Sequence, residues 1–145
     1  MSTKKGKLVH TTELVVRWGD MDAFGHVNNS VYFTYFEQAR VGWWRTITPP
    51  DINFGNTGPV IIDAHCVFFK AITFPQTLII KFYVGPAGRS SHECYYEVVG
   101  HEDNIKEDNI IYAEGSTKVV WIDRKLERSI PLPDYIKEHL PSKDL

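Results

Sequence analysis

The sequence predicts an α+β protein in which an antiparallel sheet packs around one helix. Three observations lead to this class: a single aromatic-rich helical segment, five strand-like segments, and short turns where a parallel sheet would need crossover helices. At 145 residues, 43% of them hydrophobic, the chain has about the length and apolar content of one packed domain. We therefore expect a single domain over residues 1–145, with short polar tails at 1–8 and from about 134 to 145.

The first element is predicted to be a strand over residues 9–18, where polar and apolar side chains partly alternate. The residues expected on its buried side are Thr12, Leu14, Val16 and Trp18. Residues 20–29 follow as a loop, because they include Gly25 and the turn-forming pair Asn28 and Asn29.

A helix is predicted over residues 30–45, a segment that contains no proline. Its apolar side chains recur at helical spacing at Tyr32, Phe36, Ala39 and Trp43. Further aromatic residues lie off this stripe, so we expect the helix to be buried on several sides. The pair Pro49 and Pro50 follows its end.

Four more strands are predicted, at residues 59–69, 77–84, 90–99 and 110–122. The breaks between them contain Phe74-Pro75, the Gly-Pro-Ala-Gly run at 85–88, and Asp103-Asn104. Prolines punctuate the C-terminal segment, where one short helix is compatible with residues 134–139.

Composition gives no support for several classes of partner. A formal net charge of −2 gives no whole-chain reason to expect nucleic acid or a membrane as a partner. No apolar run approaches the roughly 20 residues that span a bilayer, and residues 1–8 lack the apolar stretch of a signal peptide. Two cysteines make neither a disulfide framework nor a zinc site. We expect a cytoplasmic protein without metal or cofactor.

Residues 17–32, RWGDMDAFGHVNNSVY, and the following FEQAR at 36–40 resemble the signature of hotdog-fold acyl-CoA thioesterases, in the branch typified by 4-hydroxybenzoyl-CoA thioesterase. The stretches 69–75 and 88–91 are similar to later strands of that family. The resemblance implies a five-stranded antiparallel sheet wrapped around one long central helix. It also implies dimers joined edge to edge, often paired into tetramers, with sites between subunits.

The resemblance further implies roles for individual residues. Asp22 matches the catalytic carboxylate, acting as nucleophile or general base, and Asn29 matches the residue whose backbone N–H polarises the thioester carbonyl. Some relatives have a His at the latter position, where this chain has Asn. The predicted substrate-binding residues are Gly25, His26, Tyr32, Arg89, Ser90 and Ser91. Arg89, Arg124 and Lys125 are candidates for contact with the phosphates of CoA, or are solvated charges.

These residue types suit thioester hydrolysis. A carboxylate can attack the carbonyl or deprotonate a water, and free N–H groups at a helix start stabilise the oxyanion by about 2.7–4 kcal/mol each. We interpret Asp20 as stabilising the loop, His26 as a packed or capping imidazole, and Cys94 as a buried small residue.

Two other functions are compatible with the same fold. One is a hydratase or dehydratase acting on acyl thioesters, but residues 20–26 lack the Asn-Pro of its usual motif and place the His one residue too far along. The other is a binder of acyl-CoA without catalysis. The sequence leaves open the acyl group, the choice between CoA and acyl carrier protein, and the choice between dimer and tetramer.

Overall fold

A computed structural model of the chain describes residues 6–101 and 110–143. The strands are β1 (Lys7–Val15), β2 (Thr57–Phe68), β3 (Thr77–Val84), β4 (Ser91–Gly100), β5 (Ile111–Asp123) and β6 (Arg128–Ser129), and the helices are α1 (Val31–Ile47) and α2 (Asp134–Lys137). One antiparallel sheet has the order β1-β3-β4-β5-β2, and the two-residue β6 pairs with β5. This confirms the predicted sheet around a single main helix, which is 17 residues long.

The central strands of the sheet bury one face against α1. Alternate residues of β3 are fully buried, as expected for a strand whose side chains point in turn to the core and away from it: Leu78, Ile80, Phe82 and Val84. From α1, Phe36 stacks on Tyr96 of β4 with 4.4 Å between ring centroids. Gly115 of β5 lies beneath Phe36, and a Cβ at that position would collide with the ring. The glycine therefore permits the close approach of helix and sheet.

The end of the first strand differs from the prediction. β1 stops at Val15, and Trp18 to Asp20 form a short 3-10 turn instead of continuing the strand. Trp18 is not on a buried face, because 76% of it is exposed and its ring meets the exposed ring of Phe74 edge to face at 5.8 Å. The turn forms because the Asp20 side chain accepts a hydrogen bond from the backbone N–H of Arg17, which bends the chain away from the sheet.

The C-terminal segment is more than the polar tail expected from about residue 134. α2 forms there, and its Ile136 is buried together with Leu132 in the core. Tyr135 packs edge to face against Trp121 of β5 at 6.3 Å. The burial of Leu132 and Ile136 was not predicted, because the prolines of this segment indicate irregular backbone. Irregular backbone is compatible both with an exposed tail and with apolar side chains that pack in the core.

The predicted Asp103-Asn104 break lies outside the described residues. Within residues 6–101 and 110–143, no helix has the length and apolar character required to cross a membrane.

Candidate active site

The loop between β1 and α1 is anchored by Asp20, which is buried to 2% exposure. Its carboxylate accepts hydrogen bonds from the Arg17 N–H (2.9 Å), the Tyr35 hydroxyl (2.8 Å) and the Arg17 guanidinium (3.1 Å). Burial raises the pKa of Asp20, but these hydrogen bonds and the Arg17 charge outweigh it and hold the pKa below its ordinary value. The backbone carbonyl of Asp20 accepts the Asn28 N–H at 3.0 Å, which ties the two ends of the loop together. These are the loop-stabilising contacts expected for Asp20.

Asp22 lies two residues further on, at a tight turn. Its backbone N–H donates to the His26 carbonyl at 3.0 Å, and Gly25 between them has a φ of +83°, a conformation that favours glycine. The Phe24 N–H donates to Asp22 Oδ1 at 2.9 Å, and the Asn28 amide donates to Asp22 Oδ2 at 3.2 Å. Both carboxylate oxygens are therefore oriented by the protein, and each keeps a lone pair for another donor.

The start of α1 presents one unpaired backbone donor next to this carboxylate. Asn28 Oδ1 accepts the Ser30 N–H at 3.0 Å and the Ser30 hydroxyl at 2.7 Å, and the Asn28 carbonyl accepts the Val31 N–H. Within the described part of the chain, the Asn29 N–H has no hydrogen-bond acceptor. An open N–H at a helix start carries the positive end of the helix dipole and can bind a developing anion.

An open cleft of about 380 Å³ joins these groups. It is bounded by the loop, the start of α1 and the end of β2, and its lining includes Asp22, Phe24, His26, Asn29, Tyr32, Phe68, Phe69 and Lys70. Tyr32 is buried and meets Phe68 edge to face at 4.8 Å. Burial raises the pKa of Tyr32 to about 12, so its phenol is neutral near pH 7. The cleft thus places one carboxylate and one open N–H beside aromatic walls.

The predicted site residues fall into two groups. Asp22, His26, Asn29 and Tyr32 line the same cleft, whereas Gly25 shapes the turn and is not part of the lining. Residues 89–91 lie at the β3–β4 turn, at the opposite end of the sheet. There the Arg89 guanidinium contacts Ser129 Oγ at 3.4 Å, and the predicted binding residues Ser90 and Ser91 accept backbone N–H groups through their carbonyls. In a single chain these three residues do not meet the cleft.

The two other candidates for phosphate contact lie at that opposite end as well. The Arg124 guanidinium donates to the Thr57 carbonyl at 3.1 Å, and the Lys125 N–H donates to Asp123 in the turn after β5. Both residues are at the same end of the sheet as Arg89.

Sequence reasoning missed two parts of the site. It did not assign a role to the Asn28 side chain, although the Asn pair at a helix start was a usable signal for side-chain hydrogen bonds. It also did not predict that Phe68, Phe69 and Lys70 line the cleft, since only the pairing of β2 with β5 places them there. The backbone N–H groups of Phe69 and Lys70 donate to the Tyr112 carbonyl of β5.

Among residues 6–101 and 110–143, no group of three His, Cys, Asp or Glu side chains could hold a metal ion.

Comparison with known proteins agrees with this geometry. The family model described as the Thioesterase-like superfamily matches residues 16–140. The PA2801 protein from Pseudomonas aeruginosa, a proposed thioesterase, is 36% identical, with a TM-score of 0.80 over 91% of this chain and 98% of that chain. A proposed acyl-CoA thioesterase from Xanthomonas campestris (XC229) is 29% identical, with a TM-score of 0.70 over 81% of this chain and 95% of that chain.

A curated sequence relative adds to these matches. The uncharacterized protein YsmA from Bacillus subtilis (strain 168) is 28% identical over 125 residues, which is 86% of this chain and 80% of YsmA. The family match covers most of the chain, including the loop with Asp22 and all of α1. The predicted hotdog fold and the predicted thioester hydrolase are confirmed by these matches, and the chain belongs to the thioesterase-like superfamily.

Proposed function

We propose that the protein hydrolyses an acyl-CoA thioester to the free acid and CoA, with Asp22 as the catalytic carboxylate. The observation that carries this proposal is the position of Asp22 and Asn29 in one cleft, where an oriented carboxylate lies beside an N–H without an acceptor. A thioester carbonyl in this cleft would receive the Asn29 N–H on its oxygen, which stabilises the oxyanion of the tetrahedral intermediate.

Asp22 acts as a general base in this proposal. The Phe24 N–H and the Asn28 amide hold its two oxygens in place, so the carboxylate is oriented to accept a proton from a bound water. The water loses a proton to Asp22 as its oxygen bonds to the carbonyl carbon. When the intermediate collapses, the C–S bond breaks, and the proton ends on the CoA thiolate to give the free thiol.

The reaction is proposed to take place in a homo-oligomer. β2 is at the edge of the sheet, and its middle residues, 61–65, are all exposed, including Ile62 at 60%. An exposed apolar edge strand favours pairing with a second strand, so antiparallel pairing of two β2 edges would bury this run. Sedimentation velocity at micromolar concentration is expected to give a mass of at least twice 16.7 kDa. A fully active monomer would contradict the dimer.

Edge pairing would also account for the residues that lie far from the cleft. Antiparallel β2 strands place the opposite end of one sheet near the cleft of the other, so Arg89, Arg124 and Lys125 of the partner subunit would approach the phosphates of CoA. Ser90 and Ser91 of the partner subunit lie at the same end.

We also propose a cytoplasmic location, because both described cysteines are free and one is buried.

A thiol-release assay tests the function. The protein is incubated with a panel of acyl-CoA and acyl carrier protein thioesters, and the free thiol is measured with a chromogenic disulfide. Release of CoA in proportion to free acid supports the proposal. A hydratase would change the acyl chain without releasing thiol, and a binder would do neither, so either result would replace the proposed function.

A further inference from the structure

His26 lies directly across a short hairpin from Asp22. Met21 and Val27 pair as an antiparallel bridge, and the next pair towards the turn is Asp22 and His26. The Asp22 N–H donates to the His26 carbonyl at 3.0 Å, which joins this pair. Residues opposed in this way have Cβ atoms about 4.5–5.5 Å apart and side chains on the same face. The carboxylate and the imidazole therefore leave the hairpin side by side.

This pair faces the cleft because its neighbours face the core. Val27 is 3% exposed and Met21 packs against the core, so the side chains one position further along the hairpin point the other way. Both Asp22 and His26 line the cleft of about 380 Å³. The hairpin thus directs an imidazole into the same space as the carboxylate.

The His26 ring has no partner within the described part of the chain. Hydrogen bonds engage the rings of three other histidines, His92, His101 and His139. Among the described residues none engages the ring of His26, which is exposed. This corrects the expectation of a packed or capping imidazole. A neutral imidazole keeps one N–H and an imidazolium has two, so the ring can donate to a bound molecule in either charge state.

The reaction needs donors at the carbonyl oxygen of the thioester. As a water attacks, its proton passes to Asp22 and negative charge moves to that oxygen, which can then accept more than one hydrogen bond. The Asn29 N–H supplies one donor. Oxyanion sites in acyl transfer combine backbone N–H groups with side chains such as His. A second donor in the cleft would stabilise the oxyanion more than the neutral thioester, and would therefore accelerate the reaction.

Three other side chains with N–H or O–H groups line the cleft: Asn29, Tyr32 and Lys70. The Tyr32 hydroxyl is hydrogen-bonded to a backbone group, and the Lys70 ammonium lies 5.7 Å from the centre of an aromatic ring. The Asn29 amide belongs to a residue beyond the paired part of the hairpin. Among the described residues of the cleft lining, His26 is the one that main-chain pairing holds opposite Asp22.

We propose that the His26 imidazole is a second hydrogen-bond donor to the thioester oxygen and acts together with the Asn29 N–H. This inference rests on the proposed function. The water oxygen bonds to the carbonyl carbon, the water proton passes to Asp22, and the electron pair of the C=O bond moves to the oxygen that both donors contact. His26 keeps its proton throughout and shares it in a hydrogen bond. When the electron pair returns to the carbon, the C–S bond breaks. His26 is therefore a catalytic residue with a role different from that of Asp22.

Kinetics of three His26 variants test this role, with the fastest thioester of the thiol-release panel as substrate. His26→Ala is expected to lower kcat by at least about tenfold and to change KM less, because loss of one oxyanion donor typically costs about 10²–10³ in kcat. His26→Asn and His26→Gln place an amide N–H near the positions of Nδ1 and Nε2. One of these two should have a kcat at least about fivefold above that of His26→Ala.

The matched control is His139→Ala, whose ring contacts the Tyr135 carbonyl in α2 and which should leave kcat unchanged. A kcat of His26→Ala within about twofold of the wild-type value would overturn the role of His26. Recovery by neither amide would overturn it as well.

Binding of two inert CoA derivatives separates an oxyanion donor from a residue that only binds substrate. In the first derivative a CF₂ group replaces the thioester sulfur, so the ketone hydrates to a tetrahedral carbon that carries oxygen. In the second a CH₂ group replaces the carbonyl. By calorimetric titration, His26→Ala is expected to raise Kd at least about tenfold for the first derivative and less than about twofold for the second. An equal rise for both, or no rise for the first, would overturn the inference.

Failure of this inference is distinguishable from failure of the proposed function. Wild-type hydrolysis that Asp22→Asn abolishes and His26→Ala leaves intact would remove the role of His26 and retain the function. Failure of the wild-type protein to release thiol from any thioester would instead remove the proposed function, and this inference with it.

Discussion

The side-chain amide of Asn28 donates a hydrogen bond to the carboxylate of Asp22 at 3.2 Å. The same side chain accepts two hydrogen bonds from Ser30 through its oxygen, so it joins the carboxylate to the first residues of α1. Rotation of the amide would break both connections at once. Asn28 is thus a positioning residue, which sets the carboxylate relative to the N–H at the helix start.

We expect Asn28→Ala to lower kcat by about tenfold or more, because a hydrogen bond to a charged group is lost and the carboxylate is free to turn. KM should change less, since Asn28 is not part of the cleft lining. The matched control is Asn53→Ala, which removes a comparable contact with the Gly55 N–H in an exposed loop remote from Asp22. Equal kcat for the two variants would show that Asn28 does not position the carboxylate.

Asp22→Asn should abolish most turnover while leaving the fold and CoA binding in place. Loss of a general base typically lowers the rate by about 10²–10⁴, because the amide has nearly the same shape but cannot accept a proton. Steady-state kinetics give kcat, and calorimetric titration with CoA gives the binding constant. Asp20→Asn is the comparison: its kcat is expected to be at least about tenfold higher than that of Asp22→Asn, which is about 1.4 kcal/mol of barrier.

A single turnover in H₂¹⁸O detects the nucleophilic route in which water hydrolyses the anhydride at the aspartyl carbon. With Asp22 as general base, the label enters only the released acid, and mass spectrometry of the peptide containing Asp22 finds none. Label in Asp22 would mean that its oxygen attacked the carbonyl and that the resulting anhydride was hydrolysed at the aspartyl carbon. That result would retain Asp22 as the catalytic residue and change its role to nucleophile.

The buried pair Asp20 and Tyr35 predicts a pH dependence of the free energy of unfolding. Because the folded-state pKa of Asp20 lies below the unfolded value of about 3.9, the ionised carboxylate stabilises the fold above about pH 4. This contribution is lost as the pH falls from about 4 through the lowered pKa. Tyr35→Phe should lower the free energy of unfolding by about 1.5–3 kcal/mol at pH 7, and by less at pH 3.

Urea unfolding at the two pH values measures this difference. Tyr95→Phe is the matched control, since its hydroxyl donates to the exposed Glu93 at 3.1 Å and should matter little. A loss for Tyr35→Phe that is the same at pH 3 and pH 7 would show that the effect comes from packing and not from the ionised Asp20.

Gly115→Ala should destabilise the protein by about 1–3 kcal/mol, because the added methyl group overlaps the ring of Phe36 and the backbone of β2 lies on its other side. Gly19→Ala is the control, since its Cβ would have open space. In the double variant with Phe36→Leu, the smaller side chain should absorb part of the overlap. The two losses are then less than additive, and strict additivity would contradict the proposed contact.

The fold was predictable from local patterns along the chain. Residues 77–84 were predicted as a strand, and the structure buries one face of it, at Leu78, Ile80, Phe82 and Val84. The helical spacing of Tyr32, Phe36, Ala39 and Trp43 specified the face of α1 that is in fact buried. These patterns depend on the repeat of a strand or a helix, so they can be read without knowing which elements pack together.

Part of the site was equally local. The cleft loop joins Asp22 to Asn29 within eight residues, so its turn-forming Gly25 and its Asn pair indicated a tight turn before a helix. Asp20 was predicted to stabilise the loop, but its partner in that role was not. The partner is Tyr35, in the second turn of α1, and the sequence does not show that this turn packs against the loop.

Only the tertiary structure decided what surrounds that loop. Phe68 and Lys70 reach the cleft because β2 pairs with β5, while Arg89 lies at the far end because β3 and β4 run antiparallel. The packing of Tyr135 depends likewise on Trp121, fourteen residues earlier and on another element. The spacing of residues in the sequence predicts the local geometry of one strand, one helix or one turn. Contacts between distant segments depend on strand order and register, which emerge only when the whole core packs.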